Sequence, residues 1–278
     1  MADFDIRPLR TLADFRAAED VQRAAWHSDE LDIVPLHLLL TAAKNGGVLL
    51  GAFAQDQLVG FVFSFIGTDA PTAVNLKHCS HQLGVRPAWQ SRGVGYALKM
   101  AQREAVRQQG VRLITWTYDP LESRNAHLNI LKLGAVCHTY FRDLYGELRD
   151  DLNRGVPTDR FQVDWWIASP RVEPRRPLTL QQRTPIVNEA VIDARGLPVG
   201  AAPIEPLPAD RFRVEFPSDF QAIRRADPDL ALAWRLQIRS ICEAAFARGY
   251  SVIDYVYEPG SPARSYYVLQ QLEFNETG

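Results

Sequence analysis

Cysteine is scarce in this chain. Three cysteines in 278 residues, Cys79, Cys137 and Cys242, cannot complete a disulfide framework. An excess of one charge sign is also missing: 31 Lys and Arg stand against 33 Asp and Glu, a formal net charge of −2. Such a balance excludes broad electrostatic capture of nucleic acid, which needs a concentrated positive field. Lys99, Arg103 and Arg107 lie four apart on one predicted helix, and this local basic run reads as a solvated face. Long hydrophobic runs are lacking too. The longest nearly apolar stretch, residues 58–67, falls far short of the roughly 18–20 residues that cross a membrane. Met1-Ala2-Asp3 opens without a basic and then apolar stretch, so no secretory signal is read there. The expectation is a reduced, cytoplasmic, soluble protein with neither nucleic acid nor membrane as a partner.

What is present is the composition of a folded protein, 46% hydrophobic and 23% charged. The length suits one large domain or two modest ones. Apolar spacing predicts a strand at 4–9, helices at 11–26 and 36–44, and strands at 48–54, 58–66 and 76–86. Thr11 is placed to cap the first helix and Pro35 to open the second. Val94, Ala97, Leu98, Ala101 and Ala105 then recur at helical spacing until Gly110. A strand at 111–118, a short helix at 125–133 and strands at 135–145 and 161–168 follow. This order predicts a mixed α/β fold, a central twisted mixed sheet flanked by helices.

Residues 169–185, with Pro170, Pro174, Pro177 and Pro185, read as a linker. Beyond it, 186–278 reads as a smaller α/β unit with a strand at 213–216, a helix at 230–247 and strands at 251–257 and 265–270. At an offset of 139 (243 − 104), Glu104-Ala105, Gly110, Ile114, Tyr118 and Pro120 match Glu243-Ala244, Gly249, Ile253, Tyr257 and Pro259. The second unit is therefore read as a reduced repeat of the first.

The segment richest in chemistry is Gln90-Ser-Arg-Gly-Val-Gly95, between a strand and an amphipathic helix. Backbone N–H groups at a helix start have no partner inside the helix, and the helix dipole adds partial positive charge. Gly93 and Gly95 let a diphosphate approach the backbone, and Arg92 can add a charged contact. A nucleotide P-loop would need Gly-Lys-Ser/Thr, which is absent. The dinucleotide fingerprint would need Gly or Ala where Leu98 stands.

The run from Gln90 to Gly95 is similar to the Q/R-x-x-G-x-G/A motif of the GNAT superfamily of N-acetyltransferases. Leu83-Gly-Val85 resembles the end of that family's fourth strand, and Asn125-Ala126 with Lys132-Leu-Gly134 its second signature. The element order of residues 1–168, about 60% of the chain, is similar as well. The resemblance implies a GNAT acyltransferase domain at 1–168, a linker at 169–185 and the additional unit at 186–278. It implies acetyl-CoA or another acyl-CoA as co-substrate. Backbone groups of Leu83 and Val85 would hold the pantetheine arm, and Gln90, Ser91, Arg92, Gly93, Val94, Gly95 and Tyr96 the pyrophosphate. Asn125 would lie near the thioester end. The implied activity is transfer of an acetyl or succinyl-type group to the primary amine of a small molecule, such as an amino acid. Transfer would be direct, in a ternary complex. The alternative is a non-catalytic acyl-CoA-binding regulator.

Amine acylation needs a group to take a proton from the amine. His81 is the candidate base, at a spacing similar to one of two basic histidines in arylalkylamine acetyltransferases of the superfamily. The family's usual acid, a tyrosine four residues before the glycine matching Gly134, is replaced by Ile130. Either Tyr140, Tyr145 or Tyr118 substitutes, or the thiolate leaves unassisted. Arg124, Arg142 and Arg160 are candidates to clamp a carboxylate, and 147–160 a candidate substrate lid. His78, Cys79, His81, Cys137 and His138 lack a tight paired motif, so no metal is expected. The loop at 217–229 has no Gly-x-Gly and carries three aspartates, which would repel a diphosphate. The second unit is expected to wall the acceptor site, cover the sheet edge or build a homodimer interface.

Overall fold

The computed structural model describes residues 3–26, 32–68, 75–146, 155–172 and 184–271. These fall into two compact units, one ending at Trp116 and the other beginning at Thr117.

The first unit opens with β1 (Asp5–Pro8), α1 (Leu12–Trp26) and α2 (Leu36–Lys44). Thr11 starts α1 as predicted: its Oγ1 accepts from the Asp14 N–H at 3.1 Å, while the Asp14 carboxylate accepts from the Thr11 N–H at 3.0 Å. This reciprocal box satisfies backbone donors that the helix itself leaves bare. β2 (Val48–Ala54) and β3 (Gln57–Thr68) form the expected hairpin. Its two-residue turn puts both Gln55 and Asp56 at positive φ, 47° and 65°, the combination that matches the twist of the flanking strands. β4 (Leu76–Val85), α3 (Val94–Gln108) and β5 (Leu113–Tyr118) follow, and the unit ends within β5. The strand order is β1-β2-β3-β4-β5, antiparallel except for the parallel β4–β5 pair. Phe15, Ala18 and Val21 of α1 pack with Leu39, Leu49, Phe61 and Phe63 in the core.

The register of β3 against β4 slips once. Phe63 lies opposite Gln82 and Ser64 opposite Ser80, so His81 is the extra residue of a β-bulge. One inserted residue reverses which side chains face which layer. Before the bulge, Ser80 bonds Gln102 of α3. After it, Gln82 bonds Gln22 of α1, and a Cβ on Gly84 would meet Trp26 and Val21 of α1.

In the second unit, α4 (Ser123–Ala126) continues as a π-helical turn at His127–Lys132. There follow β6 (Val136–Phe141), β7 (Arg160–Trp166), β8 (Ala190–Ile192), β9 (Pro198–Gly200), β10 (Arg211–Pro217), α5 (Phe220–Ala226), α6 (Pro228–Ala247), β11 (Tyr250–Glu258) and β12 (Arg264–Gln271). The order β7-β6-β11-β12-β10 is antiparallel throughout, and β8 and β9 form a separate hairpin. β6 and β7, expected with the N-terminal domain, join the C-terminal strands through Cys137↔Val252 and a core of Val136, Ile253 and Val268. The division falls inside β5 rather than in the proline-rich stretch, most of which (173–183) lies outside the described residues. Both segments matched at the offset of 139 are a helix, a left-handed glycine (Gly110, Gly249) and a strand. Their strand neighbours differ. α3 joins two adjacent parallel strands, whereas β10 and β11 lie on opposite sides of β12.

Burial would raise the Asp14 pKa, but N–H bonds from Arg10 and Thr11 and the Arg7 guanidinium outweigh it and hold the carboxyl at about 2. Asp14→Ala is expected to lower stability to urea by about 1 kcal/mol, as lost helix caps do. Because the folded pKa lies below the ordinary 3.8, this contribution is complete above 3.8 and disappears as pH falls through about 2.

Candidate functional site

The loop after β4 is built from backbone constraints. Arg86 donates its N–H to Val59 O and its Nε to Leu58 O, both at 2.9 Å, anchoring the strand end. Pro87–Trp89 makes one tight turn, and Gln90 Nε2 returns to Val85 O at 3.2 Å. Ser91 and Gly93 both adopt left-handed conformations, φ 61° and 82°. Gly93 is the N-cap of α3; its side offers no cap hydrogen bond, and a Cβ there would point into open space. The first N–H groups of α3, from Val94 to Tyr96, therefore begin a helix whose entry carries no side-chain acceptor. Ser91, Arg92 and Tyr96 are exposed around it, with the Arg92 guanidinium 5.2 Å from the Trp89 ring centroid. These features fit a diphosphate: N–H groups without a side-chain cap, a helix dipole and an exposed cation converge where no Cβ intrudes.

Upstream, the parallel ladder joins β4 to β5 only at His78↔Ile114 and Cys79↔Thr115 among the described residues. From Ser80 to Val85, no strand pairs with the edge of β4 away from β3 in this unit among the described residues; Leu83 and Val85 lie on that stretch, where the Gln90 side chain donates to Val85 O. His81 is exposed at the bulge, its ring 5.8 Å from Phe63 and 6.1 Å from Phe65 between centroids. Reduced hydration on this aromatic shelf lowers its pKa below 6.5. The imidazole is thus neutral, and able to take a proton, at neutral pH.

The predicted solvated face of α3 is not solvated throughout. Lys99 and Arg103 are buried and Arg107 alone of the three is exposed, paired with Glu104. Lys99 Nζ bonds Ser80 Oγ at 2.8 Å and Gln102 Oε1 at 3.2 Å and lies 3.5 Å from the Trp116 ring centroid. Sequence reasoning missed this cluster. The available signal was spacing: Lys99 stands three before Gln102 and seven before Val106, both buried on the same face. His78, also inward, is a satisfied core residue between Ser64 at 3.0 Å and Gln109 at 2.6 Å.

In the second unit most candidate groups already have partners. Ile130 is fully buried in the π turn, so no proton donor stands there. Tyr140 donates to Asp159 at 2.6 Å; burial and that carboxylate push its pKa far up, and Arg239 grips the same carboxylate. Tyr118 donates to Tyr267 at 3.1 Å, and burial raises its pKa strongly as well. Neither phenol is poised as an acid. Tyr145 is exposed, its hydroxyl 2.8 Å from Thr117 Oγ1, and remains the accessible tyrosine of the three. Arg142 forms a bidentate pair with Glu243 at 2.5 and 2.6 Å. Arg160 is buried, bonded to Asp159 O at 2.9 Å and 3.8 Å from Asp119, with its guanidinium 5.4 Å from the Tyr145 ring centroid. Those two arginines serve the fold rather than an open clamp. Arg124 and Asn125 are exposed on α4. Of the proposed lid, 147–154 lies outside the described residues.

Burial raises the pKa of Cys137 and Cys242, which keeps both thiols protonated. Among the described residues no group of three or more His, Cys, Asp or Glu is arranged to hold a metal ion, and no helix is long and apolar enough to cross a membrane. In the loop at 217–229, Asp219 caps α5 by accepting from Ala222 N and Asp227 caps α6 by accepting from Leu230 N. Carboxylates occupy these two helix starts, the reverse of the bare entry to α3.

Residues 12–134 match the family model described as the acetyltransferase (GNAT) family, a span of less than half the chain. That segment is thus similar to the acetyltransferase (GNAT) family, whose members are acyl-CoA-dependent N-acyltransferases. No curated protein is a match in sequence. Among solved structures the chain is similar to the ribosomal-protein-S18-alanine N-acetyltransferase of Escherichia coli. The identity there is 16%, over 64% of this chain and 99% of that one, with a TM-score of 0.47. It is similar also to the PaiA N-acetyltransferase of Thermoplasma acidophilum in complex with coenzyme A, at 18% identity, 58% and 97% coverage and a TM-score of 0.43.

Gly93→Leu is expected to weaken acetyl-CoA binding at least about tenfold in calorimetric titration. The positive φ adds a stability loss of about 1–2 kcal/mol. Gly110→Leu, which replaces a left-handed glycine at the other end of α3, carries a similar strain and leaves the affinity unchanged.

Proposed function

We propose that the chain is an N-acyltransferase that moves an acetyl or succinyl-type group from acyl-CoA to the primary amine of a small molecule, with an amino acid as the leading candidate. The observation that carries this reading is the bare, glycine-entered N-terminus of α3 at the end of a strand whose outer edge, from Ser80 to Val85, has no strand partner among the described residues. Backbone N–H groups from Val94 to Tyr96, with Ser91 and Arg92, hold the pyrophosphate, and the edge of β4 at Leu83 and Val85, where Gln90 Nε2 now donates to Val85 O, accepts the pantetheine arm as an added strand would be accepted. The bound thioester supplies an activated acyl carbon and a thiolate leaving group. His81 takes the proton from the incoming amine, directly or through water, which makes the nitrogen nucleophilic. Of the three candidate acids, Tyr145 alone keeps an accessible hydroxyl.

A second reading, acyl-CoA binding without catalysis, is favoured by one observation: Ile130, Tyr118 and Tyr140 leave no committed acid. Thiol release from acetyl-CoA and succinyl-CoA over a panel of amino acids and small amines separates the two readings. Tight binding with no release from any pair favours the regulator.

For the active pair, log kcat/KM is expected to rise with unit slope and level off at a pKa below 6.5, because His81 works as the neutral base and its pKa is lowered. His81→Gln removes that limb and lowers the rate about 100-fold. An unchanged rate at pH 6.5 in this variant removes His81 from the mechanism.

A further inference from the structure

Lys99 is 2% exposed, yet no carboxylate is among the groups its ammonium touches: Ser80 Oγ, Gln102 Oε1 and the Trp116 ring. Taking an ammonium out of water is expensive, and an apolar side chain of similar volume is often neutral or stabilising in its place. The neighbouring polar groups do not require it. Ser80 and Gln102 already bond each other, Oγ to Oε1 at 3.2 Å and Nε2 to Oγ at 3.1 Å. Loss of hydration pulls the lysine pKa well below 10.5, so burial works against the charged form.

Its place in the fold suggests why. Cys79 and Thr115 form the last pair of the β4–β5 ladder, and Ser80 and Trp116 are the next residues of the two strands. Lys99 therefore touches both strands at the vertex where they part. It does so from the α3 face, while His81 rests on Phe63 on the other. If the pyrophosphate sits at 90–96 and the arm runs back past Val85 and Leu83, its reactive end comes to this vertex.

We propose that Lys99 is a positioning residue, a wedge between Ser80 of β4 and Trp116 of β5 that keeps the outer edge of β4 open to the pantetheine arm. The proposal rests on the acyl-CoA reading above. Its energetic signature is unusual: removing the amine relieves a buried polar group and so preserves stability, while arm binding is lost.

The test compares wild type, Lys99→Met and Trp116→Leu, each titrated with acetyl-CoA and with adenosine 3′-phosphate 5′-diphosphate, the headgroup that lacks the arm. Lys99→Met is expected to keep or raise the melting temperature, bind acetyl-CoA about tenfold more weakly and bind the headgroup as wild type does. Trp116→Leu is expected to show the same split, and decides the matter should Lys99→Met fail to fold. Unchanged acetyl-CoA affinity in the variants overturns the role of Lys99 alone, as does parallel loss of both ligands. Wild-type protein that binds neither ligand overturns the acyl-CoA reading and this inference with it.

Discussion

The bulge at His81 is the constraint on which the first unit depends. A regular β4 would carry His78, Ser80, Gln82 and Gly84 on one face, because side chains alternate along a strand. The inserted residue splits that set. His78 and Ser80 face α3 and form the polar layer with Ser64, Gln102, Lys99 and Gln109, while Gln82 and Gly84 face α1. The same irregularity sets His81 out on the Phe63–Phe65 shelf and lies two residues beyond Cys79, the last partner that β4 offers β5. A base, an open strand edge and a buried cation are thereby gathered within three or four residues of one strand.

The second unit is organised by buried charge of a different kind. Arg235 holds Asp119 through two bonds at 2.7 and 2.5 Å, and Arg239 holds Asp159 through two at 2.8 and 2.7 Å. Both carboxylates are buried, so the attraction within each ion pair is offset by lost hydration, and removing one partner would leave a buried charge uncompensated. Their side effect is to engage groups that would otherwise look reactive. The Tyr140 hydroxyl goes to Asp159, and Arg160 turns inward beside Asp119. A residue type suited to chemistry is not available for it once a neighbouring buried charge needs its hydrogen bond.

Much of the fold was legible because it follows from local rules. The capping box at Thr11 and Asp14, the two-residue turn at Gln55-Asp56, the glycine stops at Gly110 and Gly249 and the glycine entry at Gly93 depend on a few adjacent residues. The hairpin of β8 and β9 and the short α5 were not legible, since three-residue strands and a seven-residue helix give too few periods to stand out. The π turn escaped for a similar reason: Leu133 N reaches back to Leu128 O, a five-residue spacing that a 3.6-residue pattern does not foretell. Lys99 is buried rather than solvated because it shares the inward stripe of α3 with Gln102 and Val106, a position that its residue type does not reveal.

By itself, then, the sequence determined the order of the main elements, the phosphate-suited loop from Gln90 to Tyr96 and the GNAT resemblance, all of which reside in short spacings along the chain. Tertiary structure alone decided which side chains are available. Whether Tyr140, Tyr118, Arg142 and Arg160 are poised or engaged depends on Asp159, Tyr267, Glu243 and Asp119, residues up to 149 positions away, and no local spacing encodes such partners. The bulge, too, is a relation between two strands, visible only when β3 and β4 are laid in register.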